Sequence, residues 1–198
     1  MILNRKAAAN LILAQPKPDY PALAKLNYIQ GRVRMQVLVS GEGKVTEANV
    51  VQGHPFLAAA ALNAVRRWKY KPFQTIAGPV PFVTVVEVNF SLRNIQPDHI
   101  PPEAVKDLNR QVRPPQVLDK PPVQSNLVHM RVLVNEEGQA IDVNPIEGFP
   151  SDYDAVMRMA GHFRFEPARW GTITVPWYLD VEVPAQDPPI PVPASKDM

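Results

Sequence analysis

The 198-residue chain has no cysteine. That excludes disulfide frameworks, Cys-built zinc sites and thiol redox motifs, and it leaves the compartment open, since cytosolic and periplasmic proteins can both lack the residue. No apolar run approaches the roughly 20 residues of a bilayer-spanning helix. The opening Asn4-Arg5-Lys6 and the apolar stretch from Ala7 to Ala14 make a poor secretion signal, because Asn10 interrupts it and no small-x-small cleavage site follows; a piece of a longer protein fits the same residues. His54, His99, His129 and His162 show neither His-x-x-x-His nor His-Glu-x-x-His spacing, so no metal site is expected. Gly-x-Ser-x-Gly and a phosphate-cradling glycine loop are also missing. Asp152 and Asp154 are the nearest approach to a carboxylate pair, and they fall where a helix start favours negative charge. Neither a catalytic residue nor a cofactor is therefore expected.

Proline is abundant instead, with 23 residues, 12 of them gathered from Pro97 to Pro122 and from Pro184 to Pro193. Such clusters read as a linker and a loose polyproline-like tail. Charge divides the chain at the same place. Residues 1–95 carry 12 Lys/Arg against 4 Asp/Glu, and residues 96–198 carry 9 against 15.

An ungapped offset of 95 aligns the two halves. Val33-Arg34-Met35-Gln36-Val37-Leu38-Val39 meets Val128-His129-Met130-Arg131-Val132-Leu133-Val134, and Glu42-Gly43 meets Glu137-Gly138. Gly53-His54-Pro55 meets Gly148-Phe149-Pro150, and Trp68 to Pro72 meets Phe163 to Pro167. From Val33 to Val88, 17 of 56 pairs are identical, far above chance, and duplication is the better explanation.

Each unit reads as strand, hairpin, strand, helix, strand. Val33, Met35, Val37 and Val39 alternate with more polar neighbours, the period of a strand with one buried face. Ser40-Gly41-Glu42-Gly43 turns the chain and Val45 to Val51 returns it. After Gly53 the period changes: Leu57, Ala61, Ala64, Val65 and Trp68 share a helical face, Pro55 opens the helix, and it stops before Pro72. Val80 to Leu92 is a β-branched run suited to a strand. A short helix starting at Pro21 precedes the first unit. The second unit is expected to lack this front segment, to carry a linker helix from Glu103 to Asn109, and to lean on the first.

At Pro18-Asp19-Tyr20-Pro21-Ala22-Leu23-Ala24-Lys25, Ile29-Gln30-Gly31-Arg32-Val33 and Ala64-Val65-Arg66-Arg67-Trp68-Lys69-Tyr70-Lys71-Pro72, the sequence resembles the C-terminal domain of the TonB family over residues 12–92. The second unit is similar to a divergent copy that has lost Tyr-Pro. The resemblance implies an α+β fold of two tandem repeats, each a small antiparallel sheet of about three strands packed on one or two helices. The repeats fall at 1–95 and 123–184, with a Pro-rich linker at 96–122 and a flexible tail at 185–198. It also implies binding without catalysis. TonB proteins are anchored in the inner membrane, reach into the periplasm, grip an extended segment of an outer-membrane receptor by strand addition, and pass on work from proton-driven motor proteins. The anchor would lie in a segment outside this chain.

Carried onto this sequence, the gripping strand is Phe82 to Phe90, with Val83, Val85, Glu87 and Asn89 on one face, and Lys17 and Pro18 touch the partner strand. Lys17 stands where the family commonly has a polar amide, a departure that bears on selectivity. A three-stranded sheet has two edges whose N–H and C=O groups accept any available strand. The second repeat or a twin chain in a homodimer could therefore occupy this one, making the repeats a structural or dimerisation module fused to another envelope protein, such as a sensor or membrane peptidase. The basic cluster Arg66, Arg67, Lys69 and Lys71 reads as helix-end cations and a solvated face, so no nucleic-acid partner is expected. Trp68 and Tyr70 read as core.

Overall fold

Of the three three-stranded antiparallel sheets among the described residues, the two built on the longest strands organise the chain. The computed structural model describes residues 1–92, 111–118, 127–146 and 163–184. In the first unit the elements are α1 (Arg5–Ala9), β1 (Ile12–Ala14), α2 (Ala22–Leu26), β2 (Gly31–Val39), β3 (Val45–Gln52), α3 (Pro55–Val65), β4 (Lys69–Tyr70), β5 (Phe73–Thr75), β6 (Gly78–Val80) and β7 (Phe82–Phe90). The main sheet runs β3-β2-β7. The alternation in β2 has the expected consequence: Val33, Met35, Val37 and Val39 are all fully buried.

α3 opens on Pro55, and His54 caps it by accepting the Phe56 N–H at Nδ1 (3.3 Å). The helix is buried on nearly every side, with Phe56, Leu57, Ala58, Ala61, Leu62, Ala64 and Val65 all in the interior. Such a helix needs cover on two sides. The sheet supplies one, and the second unit supplies the other, where the Trp177 ring lies 6.1 Å from Phe56 and from His54.

The described elements of the second half are β8 (Val112–Arg113), β9 (Gln116–Val117), β10 (Leu127–Val134), β11 (Ala140–Pro145), β12 (Phe165–Glu166), β13 (Ala168–Trp170), β14 (Ile173–Val175) and β15 (Trp177–Pro184), with a main sheet ordered β11-β10-β15. Its register repeats the first at the offset of 95. Met35 faces Val50 and Val86 as Met130 faces Pro145 and Val181, and the bulge at Leu38/Val39 recurs at Leu133/Val134. The turn glycines correspond too. Gly43 (φ +84°) and Gly138 (φ +79°) sit where a Cβ would strike the carbonyl oxygens of Tyr70 and Phe165, so the close approach and the left-handed backbone both require glycine.

Two expectations change. The stretch expected as a Pro-rich linker with a short helix contains β8 and β9, which pair with β13 and β12, so the second unit does have a front segment. Val117 faces Phe165 much as Ile12 faces Tyr70 in the pairing of β1 with β4. The run from Val80 to Leu92 also divides, β6 pairing back on β5 before Pro81 and the long strand β7 starting at Phe82. The expected helix at 103–109, the second repeat's helix and the tail lie outside the described residues.

The two sheets use their faces differently. Met130, Val132, Val134, Val143, Val181 and Val183 enclose the second unit's own core with Phe163 and Phe165. On the opposite face, Leu133 is fully buried in the first unit's core, with Ile141 and Tyr178 packed beside it. At the edge of β3, side chains of the second unit engage the outward groups of Val50. The Val50 N–H donates to both carboxylate oxygens of Asp142 (3.2 Å each), and Asn144 Nδ2 donates to the Val50 carbonyl (3.2 Å). Arg66 Nη2 donates to the Ile141 carbonyl (2.7 Å), so one member of the basic cluster serves the contact between units. Burial pushes the Asp142 carboxyl up to about 6, against the pull of Val50 N–H, Asn144 and the Arg66 charge.

Candidate functional site

With β3 covered, β7 is the other edge of the first sheet. Along an antiparallel edge strand, the N–H and C=O of one residue point to the same side and those of the next residue to the other. Val83 fixes the phase, because its N–H donates to the Met1 carbonyl (2.7 Å) and its carbonyl accepts the Leu3 N–H (2.9 Å), in a parallel bridge with Ile2. The outward-facing residues are therefore Val83, Val85, Glu87 and Asn89. Among the described residues, no backbone group pairs with the last three.

The edge is thus not bare along its whole length. Residues 1–3 occupy it at Val83, and α1 lies beside Val85 and Glu87, leaving a hollow of about 190 Å³ lined by Arg5, Ala8, Trp68, Val85 and Glu87. Arg5 and Arg34 both pair with the Glu87 carboxylate. Burial alone would raise that carboxyl, but hydrogen bonds and charge from Arg5, then Arg34, hold it below the usual range. Asn4 caps α1 by accepting the Ala7 N–H (2.8 Å), which sets the helix that carries Arg5.

Beyond Glu87 a groove of about 440 Å³ opens between the strand and the extended segment Gln15-Pro16-Lys17-Pro18. Trp68 lines it, donating from Nε1 to the Pro16 carbonyl (3.2 Å) and so tying the proline wall to the end of α3. Tyr20 closes one end. Its ring packs edge-on against Phe90 (5.4 Å), and its hydroxyl donates to the Ile29 carbonyl (2.6 Å). Of the residues singled out from sequence, Lys17, Pro18, Glu87 and Asn89 line this one groove. Val85 is 39% exposed and lies on the α1 side, and Val83 has its backbone occupied.

Residues 1–14 are the part of the site that sequence reasoning missed. The visible signal was Ile12-Leu13-Ala14 directly before a Pro-rich segment, a short apolar run that β4 pairs with. Trp68 and Tyr70 are 3% and 1% exposed, which removes the stacking surface that a carbohydrate- or nucleic-acid-binding face would need. Among the described residues no cluster of three His, Asp or Glu could hold a metal, and no helix is long and apolar enough to cross a membrane. His99, His162, Asp152 and Asp154 lie outside the described residues.

Residues 16–92 match the family model described as Gram-negative bacterial TonB protein C-terminal. Protein TonB of Escherichia coli (strain K12) is 31% identical over 70 residues, covering 34% of this chain and 29% of that protein. Protein TonB of Vibrio cholerae is 27% identical over 84 residues, 41% of this chain and 34% of that protein. Protein tonB2 of Pseudomonas aeruginosa is 39% identical over 62 residues, 30% of this chain and 23% of that protein. The matched part thus spans 23–34% of the length of these curated relatives. Apart from Gln15, the groove lining falls with the edge strand and α3 inside the segment that is similar to this family's C-terminal domain.

Proposed function

We propose that this chain is the periplasmic, receptor-gripping part of a TonB-like energy transducer. An extended segment of an outer-membrane transporter lies in the groove beside Lys17 and Pro18 and adds to β7 as a further strand. Main-chain bonds to the outward groups of Glu87 and Asn89 give affinity, and side chains in the groove give selectivity. Work from the proton gradient reaches the grip through inner-membrane motor proteins and an anchor outside this chain. The chain's task is mechanical and not enzymatic. The second sheet is a divergent copy that closes the β3 edge and so directs strand addition to β7. One observation carries the reading: in the family-matched segment, a proline-walled groove runs along a strand edge whose outward groups are unpaired among the described residues.

The test is calorimetry with short extended peptides taken from the periplasmic end of an outer-membrane transporter. Asn89→Pro removes an outward N–H and leaves the inward ladder intact, so binding is expected to weaken about tenfold while the fold persists. Ile76→Ala, on the exposed β5–β6 turn, is expected to change nothing. Unchanged affinity in Asn89→Pro would overturn strand addition at β7. A chain that ignores such peptides and forms a dimer dissociated by Asn89→Pro would make the edge a homodimer interface.

A further inference from the structure

We infer that the second sheet carries a strand-docking groove of its own, and that this groove takes an extended segment with Lys or Arg at alternate positions. The inference extends edge pairing from β7 to β15. Because the two registers coincide at the offset of 95, the outward phase set by Val83 falls on Tyr178, and so also on Asp180 and Glu182. Among the described residues no backbone group pairs with the outward N–H or C=O of any of the three.

A groove of about 460 Å³ runs beside Asp180 and Glu182, walled on its far side by Pro115-Gln116-Val117. By register it is the counterpart of the hollow beside α1, with Val117, Asp180, Val181 and Glu182 at the places of Ile12, Val85, Val86 and Glu87. Phe163 stands in it at the position of Trp68, and the Pro-containing wall comes from the front segment that pairs with the stretch after the aromatic, through β9 and β12.

The charge differs. Among its described lining residues the first groove has one cation, Lys17, and its carboxylates are Glu87, which Arg5 and Arg34 neutralise. The second is lined by Asp180 and Glu182 and, among the described residues, by no Lys or Arg. Arg131 on the neighbouring strand donates to both Asp180 carboxylate oxygens (2.8 and 2.9 Å), so Glu182, which faces His129 across the ladder, is the lining carboxylate without a Lys or Arg partner among the described residues. Asp180 and Glu182 are two residues apart, so their side chains stand on one sheet face. An added strand would meet them with its own alternate residues, where opposite charges across a ladder are favourable and like charges are not.

The probes are two capped hexapeptides, one alternating valine with lysine and the other valine with glutamate, titrated into the full chain with amide shifts as readout. The lysine peptide is expected to bind about fivefold more tightly at low salt, with the preference shrinking as salt screens it. Its shifts are expected at Asp180 and Glu182. Glu182→Pro is expected to weaken it about tenfold while Asn89→Pro leaves it unchanged. Should Glu182→Pro disturb the fold, Glu182→Gln keeps the test, because it lowers the lysine-over-glutamate preference without touching the backbone. Equal affinity for the two peptides, no binding of either, or lysine-peptide binding indifferent to both Glu182 variants would overturn the inference. Failure of the β7 reading registers separately, as transporter-derived peptides indifferent to Asn89→Pro.

Discussion

Leu133→Ala is expected to lower the unfolding free energy by about 2–5 kcal/mol, whereas Leu38→Ala, at the equivalent position 95 residues earlier, costs less than about 1 kcal/mol. The two leucines occupy the same place in the same register. Leu38 faces Glu47 and Val83, and Leu133 faces Asp142 and Tyr178. Both point away from their own sheet's core. For Leu38 that direction is the partly open face of the first sheet, but for Leu133 it is the interior of the first unit, where the side chain is fully buried. Truncating Leu133 therefore loses transfer free energy and leaves a cavity, while truncating Leu38 loses mostly solvent-facing surface. Urea unfolding of the two variants in parallel checks the difference, with unchanged slopes confirming that stability alone has moved. Equal costs would mean that the sheets do not pack on one another in solution.

That comparison also shows what the sequence could and could not disclose. The alternation of Val33, Met35, Val37 and Val39, the turn glycines and the constant offset made both main sheets legible, because a period of two and a left-handed turn are local properties. Leu38 and Leu133 look alike to such a reading. Whether the outer face of a strand meets water or another unit is decided by tertiary contact, and Asp142, aligned with exposed Glu47, looked equally ordinary. One clue was present: α3 is apolar all round apart from Asn63, a pattern that asks for cover on two sides. The short pairs β1–β4, β5–β6 and β9–β12 escaped because two or three residues hold no measurable period. Lys17 and Pro18 were placed by family resemblance alone, and spacing gave no hint that α1 and residues 1–3 would lie along half of the strand they serve.

Between pH 4 and 6.5, stability is expected to change little in the parent chain and by on the order of 3 kcal/mol, in opposite directions, in two single variants. Asp142 has its carboxyl raised from the ordinary 3.8 to about 6 by burial against Val50, with Asn144, Arg66 and Tyr178 as its polar and charged neighbours. The folded state therefore holds this proton where the unfolded state has lost it, and acidification from pH 6 towards 4 stabilises the fold. His54 behaves oppositely. Burial lowers it from 6.5 to about 4, with its Nδ1 accepting the Phe56 N–H and the rings of Phe56 and Trp177 packed against it. Here the unfolded state binds the proton first, so acidification below 6.5 destabilises. The two linkages nearly cancel. Asp142→Asn removes the stabilising one, and its unfolding free energy is expected to fall steadily from pH 6.5 to 4. His54→Asn retains a capping side chain and removes the destabilising linkage, so its stability is expected to rise over the same window. Unfolding midpoints at half-unit pH steps read both slopes. An Asp142→Asn profile with the same slope as the parent's would show that the carboxylate between the sheets is hydrated.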